Sequence, residues 1–271
     1  AVFLTGSQAG AWERGEGRAG RAGRWRRGTF PQNHITPPET PIVKRSRILT
    51  ASLVLIVFLA VLADSGLGGE EKAKRGPQRW EPNIARFEQQ DREDPPEKGG
   101  ILFVGSSSIV RWDVAKWFPD MPVLNRGFGG SQIADSVHFA ERIVIPYRPR
   151  TIVFYAGDND LAAGKAPEQV LADFKAFVSK VRASLPEAKI IYVGIKPSIK
   201  RWSLIEPVRK ANGLIREAIS SDARSIFVDV DSPMIGTGGM PRKELYIADG
   251  LHLSDEGYAV WTKLLAPHLA R

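Results

Sequence analysis

From residue 101 onward, short runs of β-type apolar residues alternate with helical patterns, and no other feature constrains the fold of this chain as strongly. The strand-like runs occupy residues 101–104, 123–125, 151–155, 189–195 and 226–230. Between and after them, Val170, Phe174, Phe177, Val178, Val181 and Leu185 share one helical face, as do Val208, Ala211, Ile215 and Ile219, and then Tyr258, Trp261, Leu264 and Leu265. Parallel strands need a crossover between them, so strands interleaved with amphipathic helices predict an α/β fold: a parallel sheet covered by helices on both faces, in three layers. In such sheets ligands bind beyond the carboxyl ends of the strands, which makes the loops after each strand the place to look for chemistry. A further short amphipathic helix is expected over residues 80–91, where Trp80, Ile84 and Phe87 recur at helical spacing before Pro95, Pro96, Gly99 and Gly100 end it.

The front of the chain has a different character. Residues 1–40 are rich in Gly, Arg and Ala and lack apolar periodicity, which predicts disorder because too little apolar surface is available to offset ordering entropy. Val43-Lys44-Arg45-Ser46-Arg47 then leads into the apolar run 48–63, which ends Val61-Leu62-Ala63. Basic residues, a short apolar core and a small residue at its end read as a secretory signal peptide cleaved after Ala63. A largely apolar run of sixteen residues approaches the roughly 18 to 20 needed to span a bilayer, so an uncleaved N-terminal anchor is the competing reading. No methionine precedes Met121, so translation is expected to start near Val43 on a non-methionine codon, with residues 1–42 as upstream sequence. Residues 64–79 read as a linker and 80–271 as the folded domain, expected outside the cytoplasm as a secreted or periplasmic protein or one anchored by 43–63.

Charge and cysteine usage narrow the function classes. Residues 1–63 hold nine of the 38 Lys and Arg and three of the 30 Asp and Glu, so +6 of the total net charge of +8 lies there and the other 208 residues carry only +2. A near-neutral body argues against a nucleic-acid partner, which would need a basic face on the folded part. Cysteine is absent, which removes disulfides, thiolate metal sites and cysteine nucleophiles.

Three strand-end segments carry candidate chemistry, and a fourth segment precedes the last helix. The first run stops at Gly105, and Ser106, Ser107 and Ser108 open a helical pattern. A serine on a sharp strand-to-helix turn has its hydroxyl at the sheet edge beside the helix's first N–H groups; the alternative is a hydroxyl that caps them. The second run leads into Gly127-Phe128-Gly129-Gly130-Ser131, where glycines allow close backbone approach and free N–H groups can face an anion. No Gly-Lys-Ser/Thr follows, so a phosphate cradle is disfavoured. The third run ends in Gly157-Asp158-Asn159-Asp160, either an amide aimed into a pocket or a turn with solvated aspartates. Asp158, Asp160, Asp229 and Asp231 lack the spacing of a known calcium loop, and neither a metal nor another cofactor is expected.

Of four histidines, His34 lies in the front segment, His138 in a helical pattern and His268 near the end. His252 sits in Asp249-Gly250-Leu251-His252, just before a helix beginning at Ser254. An aspartate three residues earlier in a loop can receive the ring's Nδ1–H and leave Nε2 facing a serine; the alternative is a carboxylate that caps the turn.

Taken together, Phe103-Val104-Gly105-Ser106-Ser107-Ser108-Ile109, Gly127-Phe128-Gly129-Gly130, Gly157-Asp158-Asn159-Asp160 and Asp249-Gly250-Leu251-His252 resemble, in order and approximate spacing, the SGNH/GDSL hydrolase family of esterases and lipases. The resemblance runs from about residue 101 to the C-terminus. It implies a five-stranded sheet in the flavodoxin-like order 2-1-3-4-5. It also implies Ser107 as nucleophile, His252 as general base and Asp249 as its orienting acid, with the N–H groups of Ser107 and Gly130 and the Asn159 amide as the oxyanion hole. The family usually has Asp before the nucleophile and Leu after it, where this chain has Ser106 and Ser108.

The expected reaction is two-step acyl transfer through an acyl-enzyme, with short acyl and especially acetyl esters, including those on carbohydrates, as substrates. Lysophospholipase and thioesterase activities occur in the same family. A reading from another class is a non-catalytic, extracytoplasmic glycan-binding module using the same cleft. Trp112 and Trp202 are expected to pack rather than to act as sugar platforms. Membrane contact is expected only through the N-terminal anchor.

Overall fold

Alternation within each strand explains why both faces of the sheet are covered. In the computed structural model, which describes residues 76–269, the chain forms five parallel strands: β1 (Ile101–Gly105), β2 (Val123–Gly127), β3 (Thr151–Tyr155), β4 (Lys189–Val193) and β5 (Ser225–Val228), in the order β2-β1-β3-β4-β5. Leu102, Val104, Ile152, Phe154, Ile190 and Tyr192 point to one face. Ile101, Phe103, Val153, Tyr155, Ile191 and Val193 point to the other. Each set is buried in its own apolar cluster, as the period of two requires.

On the first face lie α1 (Glu81–Glu93), α4 (Ile133–Ile143), α6 (Pro167–Ser184) and α7 (Ile205–Ile219), contributing among others Ile84, Phe139, Phe174, Phe177, Val208 and Ile215. The short α2 (Ser107–Val110) and α3 (Val114–Trp117), together with α8 (Asp231–Met234) and the C-terminal α9 (Asp255–Leu269), cover the second face. The remaining helix, α5 (Asp158–Ala162), is a short turn at the end of β3. An aromatic group of Phe103, Trp112, Tyr258 and Trp261 joins α9 to β1, with Trp112 5.4 to 5.6 Å from each of the other three ring centroids. Trp112 is a core residue, as expected of it, whereas Trp202 lies half-buried in a 3₁₀ turn.

Register decides where the loops emerge. Gly105 pairs with Gly127 on one side and Tyr155 on the other, so β1, β2 and β3 end level and their following loops stand side by side on one rim. Strand order reverses at β1, which lies between β2 and β3, and that is where an open parallel sheet forms its crevice.

Several boundaries differ from the sequence expectation, among them β5, which spans Ser225–Val228 in place of 226–230. β2 continues to Gly127 because its pairing with β1 continues to Gly105. β4 stops at Val193, since the Asn212 side chain takes both the N–H and the C=O of Ile195, each at 2.8 Å, out of the ladder. Trp80 belongs to a 3₁₀ turn, Pro77–Trp80, that precedes α1. The expectations of disorder, signal peptide or anchor for residues 1–63, and most of the linker, lie outside the described residues. Among the described residues, no helix is long and apolar enough to cross a membrane.

Candidate active site

Gly105 creates the turn that carries Ser107. Its φ is +137°, and a Cβ there would lie 1.9 Å from the Tyr155 carbonyl oxygen, so only glycine can end β1 this way. Ser106 follows in extended conformation, and Ser107 is the first residue of α2, whose N–H has no partner within the helix. The capping alternative is not observed: Ser106 stands at the N-cap without a side-chain capping bond, and its hydroxyl is buried without a partner. Ser107 itself is half-buried, facing the rim.

Two side chains hold α2 in place. Asn125, near the end of β2, donates through Nδ2 to the carbonyls of Ile109 (2.7 Å) and Trp112 (3.0 Å) and accepts from the Gly127 N–H at 2.9 Å. Tyr258 of α9 donates to the Ser108 carbonyl at 2.9 Å. The second contact matters because α9 follows directly on the segment that bears His252.

His252 reaches Ser107 from that segment, 145 positions away in sequence, with Nε2 3.0 Å from Ser107 Oγ. Its Nδ1 donates to Asp249 Oδ2 at 2.6 Å, and the other carboxylate oxygen accepts the N–H groups of Leu251 and His252 at 2.8 and 2.9 Å. A carboxylate that only accepts fixes the ring proton on Nδ1 and turns the Nε2 lone pair to the serine. Both readings of Asp249 therefore hold at once: it caps the turn and orients the ring. Burial alone would raise the Asp249 carboxyl, but the hydrogen bonds from the His252 ring and from the two N–H groups outweigh it and hold it well below the usual carboxylate range.

The glycine loop after β2 backs onto the same point. A Cβ on Gly129 would lie 3.9 Å from Ser107 Cβ. Gly130, at φ +79°, directs an N–H that no backbone or side-chain acceptor engages among the described residues. Asn159, half-buried in α5, uses one hydrogen of its amide on the Ser131 carbonyl at 3.0 Å, which leaves its second hydrogen. The three strand-end segments and the Asp249–His252 segment before α9 thus meet on one rim.

The aspartates around Asn159 are not solvated turn residues. Asp158 is 5% exposed and Asp160 fully buried, because each faces cations of the chain itself. Asp158 Oδ2 lies 3.2 Å from Arg201 and 3.4 Å from Lys196, while Asp160 pairs with Lys165 at 2.8 Å and accepts the Ile133 N–H that opens α4. Lys196, fully buried, also donates to the Tyr155 hydroxyl at 3.0 Å; burial pushes its ammonium down and Asp158 opposes that shift. Sequence reading passed over Asn125, Tyr155, Lys196 and Arg201. Lys196 alone left a visible signal, as a charge set directly after the apolar run 189–195.

A three-layer parallel α/β sheet that carries a serine, a carboxylate-bound histidine and free N–H donors on its carboxyl rim has the parts that serine-based acyl transfer requires. Residues 104–260 match the model of the GDSL-like Lipase/Acylhydrolase family, and the chain belongs to that family. Among curated proteins it is similar to the bovine (Bos taurus) platelet-activating factor acetylhydrolase IB subunit alpha1, 28% identical over 204 residues that cover 73% of this chain and 85% of the relative. Among solved structures it resembles a GDSL-like lipase from Bacteroides thetaiotaomicron (TM-score 0.56, 20% identity, 72% of this chain and 97% of the other). It also resembles an acetylxylan esterase from Geobacillus stearothermophilus (TM-score 0.53, 13% identity, 64% and 95%). At those identities the structural likeness shows the fold alone. The chain is a carboxylic ester hydrolase of this family.

Proposed function

We propose that the chain hydrolyses short acyl esters, acetyl esters foremost, through Ser107, His252 and Asp249. The carrying observation is the continuous Asp249–His252–Ser107 hydrogen-bond chain, with Nε2 3.0 Å from the hydroxyl. Ser107 Oγ attacks the ester carbonyl as its proton passes to Nε2. The tetrahedral oxyanion takes hydrogen bonds from the N–H groups of Ser107 and Gly130 and from the free Asn159 amide hydrogen. His252 then protonates the departing alcohol, and water activated by the same Nε2 releases the acid. Asp249, ionised throughout, stabilises the imidazolium that forms in each half-reaction.

The names of two relatives, an acetylhydrolase and an acetylxylan esterase, support acetyl as the acyl group. Labelling with a fluorophosphonate and turnover of p-nitrophenyl acetate test the reading together. Wild type labels at Ser107 and turns over, and Ser107→Ala does neither. A Ser107→Ala variant with wild-type turnover would refute the nucleophile, and unlabelled, inactive wild type would favour a glycan-binding module. A panel of acyl chain lengths with acetylated xylan then reads out the substrate. We further propose export through residues 43–63, on their charge and hydropathy pattern; native protein recovered wholly in the cytoplasmic fraction would overturn it, and N-terminal sequencing that found peptides from 1–42 would overturn a translation start near Val43.

A further inference from the structure

Asn159 is an amide, and an amide can present either end to a pocket. Rotation by half a turn exchanges a donor NH₂ for an acceptor oxygen, and only the donor end can bind an oxyanion. Something must therefore hold the correct end inward. The Asn159 Oδ1 accepts a hydrogen bond from Arg201 Nη2 at 3.0 Å. Guanidinium has donors and no acceptor, so this contact exists in one amide orientation only. Arg201 is held in turn by Asp158, whose Oδ2 lies 3.2 Å from Nη1, and Asp158 is itself flanked by Lys196, whose ammonium is anchored on the Tyr155 hydroxyl. The cluster therefore places two cations against one carboxylate directly behind the amide.

We propose that Arg201 is a positioning residue for ester hydrolysis, acting through Asn159: it locks the amide with its NH₂ end toward the reacting carbonyl and polarises that NH₂ into a stronger donor. The proposal rests on the reading of Asn159 as an oxyanion donor. A charged donor on the amide oxygen draws electron density from the nitrogen, so the benefit grows as negative charge develops on the substrate oxygen. The effect accordingly belongs to kcat and not to substrate binding. The Ser131 carbonyl fixes the other amide hydrogen and completes a two-point clamp.

A double-mutant cycle separates this role from a structural one. Arg201→Met removes every donor but keeps a side chain of comparable reach, and kcat and KM for p-nitrophenyl acetate are measured for wild type, Arg201→Met, Asn159→Ala and the double variant. Removing an oxyanion donor typically costs on the order of 100-fold to 1000-fold in kcat, and loss of its orientation alone should cost on the order of 10-fold, with KM within about twofold. In the Asn159→Ala background, Arg201→Met should change kcat by less than about twofold, since the group it acts through is gone. Arg201→Lys, which can still donate to Oδ1, should recover part of the loss. It also supplies the same cycle if Arg201→Met fails to fold. Equal losses in both backgrounds, or no loss in either, would overturn the proposal. An Asn159→Ala variant with wild-type kcat would instead sink the underlying assignment of Asn159, and the two failures are distinguishable.

Discussion

Gly127 is where packing and catalysis meet most closely, and Gly127→Ala tests how tightly the nucleophile is held. An alanine Cβ there would lie 2.7 Å from Val110 N, 2.8 Å from Ile109 Cγ2 and 2.9 Å from Ile109 Cβ, where ordinary contact begins at 3.4 Å. The neighbours in α2 must therefore retreat by about 0.5 to 0.7 Å, because β2 is fixed by its ladder to β1. Ser107 begins that four-residue helix and moves with it. Its hydroxyl stands 3.0 Å from His252 Nε2, so such a shift lengthens the contact to about 3.5 Å, beyond a useful hydrogen bond. A misplacement of about 1 Å can cost on the order of 100-fold, which puts this variant at roughly 10-fold to 30-fold lower kcat. Overpacking adds about 1 to 3 kcal/mol of destabilisation. The assay is kcat on p-nitrophenyl acetate beside a thermal melt followed by circular dichroism. A folded Gly127→Ala protein with kcat within twofold of wild type would refute the claim that a shift of α2 carries Ser107 out of reach of His252.

Gly213 is the matched control: it lies exposed inside α7, and a Cβ there meets nothing within 4 Å, so Gly213→Ala should stabilise the domain by about 0.5 to 1 kcal/mol and raise Tm by roughly 1 to 4 °C with kcat unchanged. Asp249 has a depressed carboxyl in the folded state, so it stays ionised through the range near 3.9 where a free aspartate titrates, and the acid limb of kcat/KM above pH 4 should carry no second proton from this carboxyl. A limb of two protons there would contradict the hydrogen-bonded geometry. By the same sign, the stability this carboxylate contributes is present above its unfolded value and lost as pH falls through the folded one. The Tm gap between wild type and Asp249→Asn should therefore shrink below about pH 4, modestly and with salt dependence, because the side chain is 35% exposed.

Much of the architecture was legible without coordinates because it rests on short-range pattern. Continuous apolar runs and 3.6-period helical faces are local consequences of backbone geometry, so the alternation of the two specified a parallel sheet with both faces covered. At the candidate site the residues by themselves left alternatives open; Ser107, Gly130, Asn159, Asp249 and His252 stood out only through the resemblance of four segments, in order, to the SGNH/GDSL hydrolase family. Local pattern failed at Asp158 and Asp160. Their acidity suggested solvent, and what buries them are cations from segments 5 to 43 residues further along the chain.

The remainder depended on register and on side chains reaching between elements. That β1, β2 and β3 end level follows from ladder pairing, and only this places the serine turn beside the glycine loop and α5. The 3.0 Å approach of His252 to Ser107 depends on α9 docking through Trp112, Tyr258 and Trp261, contacts between residues as much as 150 positions apart. The Arg201 contact to Asn159 is of the same kind, since no spacing in the chain signals which cation will meet which amide. Sequence by itself determined the strand-and-helix alternation and the residue types at each strand end, because those are local consequences of periodicity and turn chemistry. Tertiary structure decided which of those residues touch, because sub-ångström placement comes from packing between distant segments.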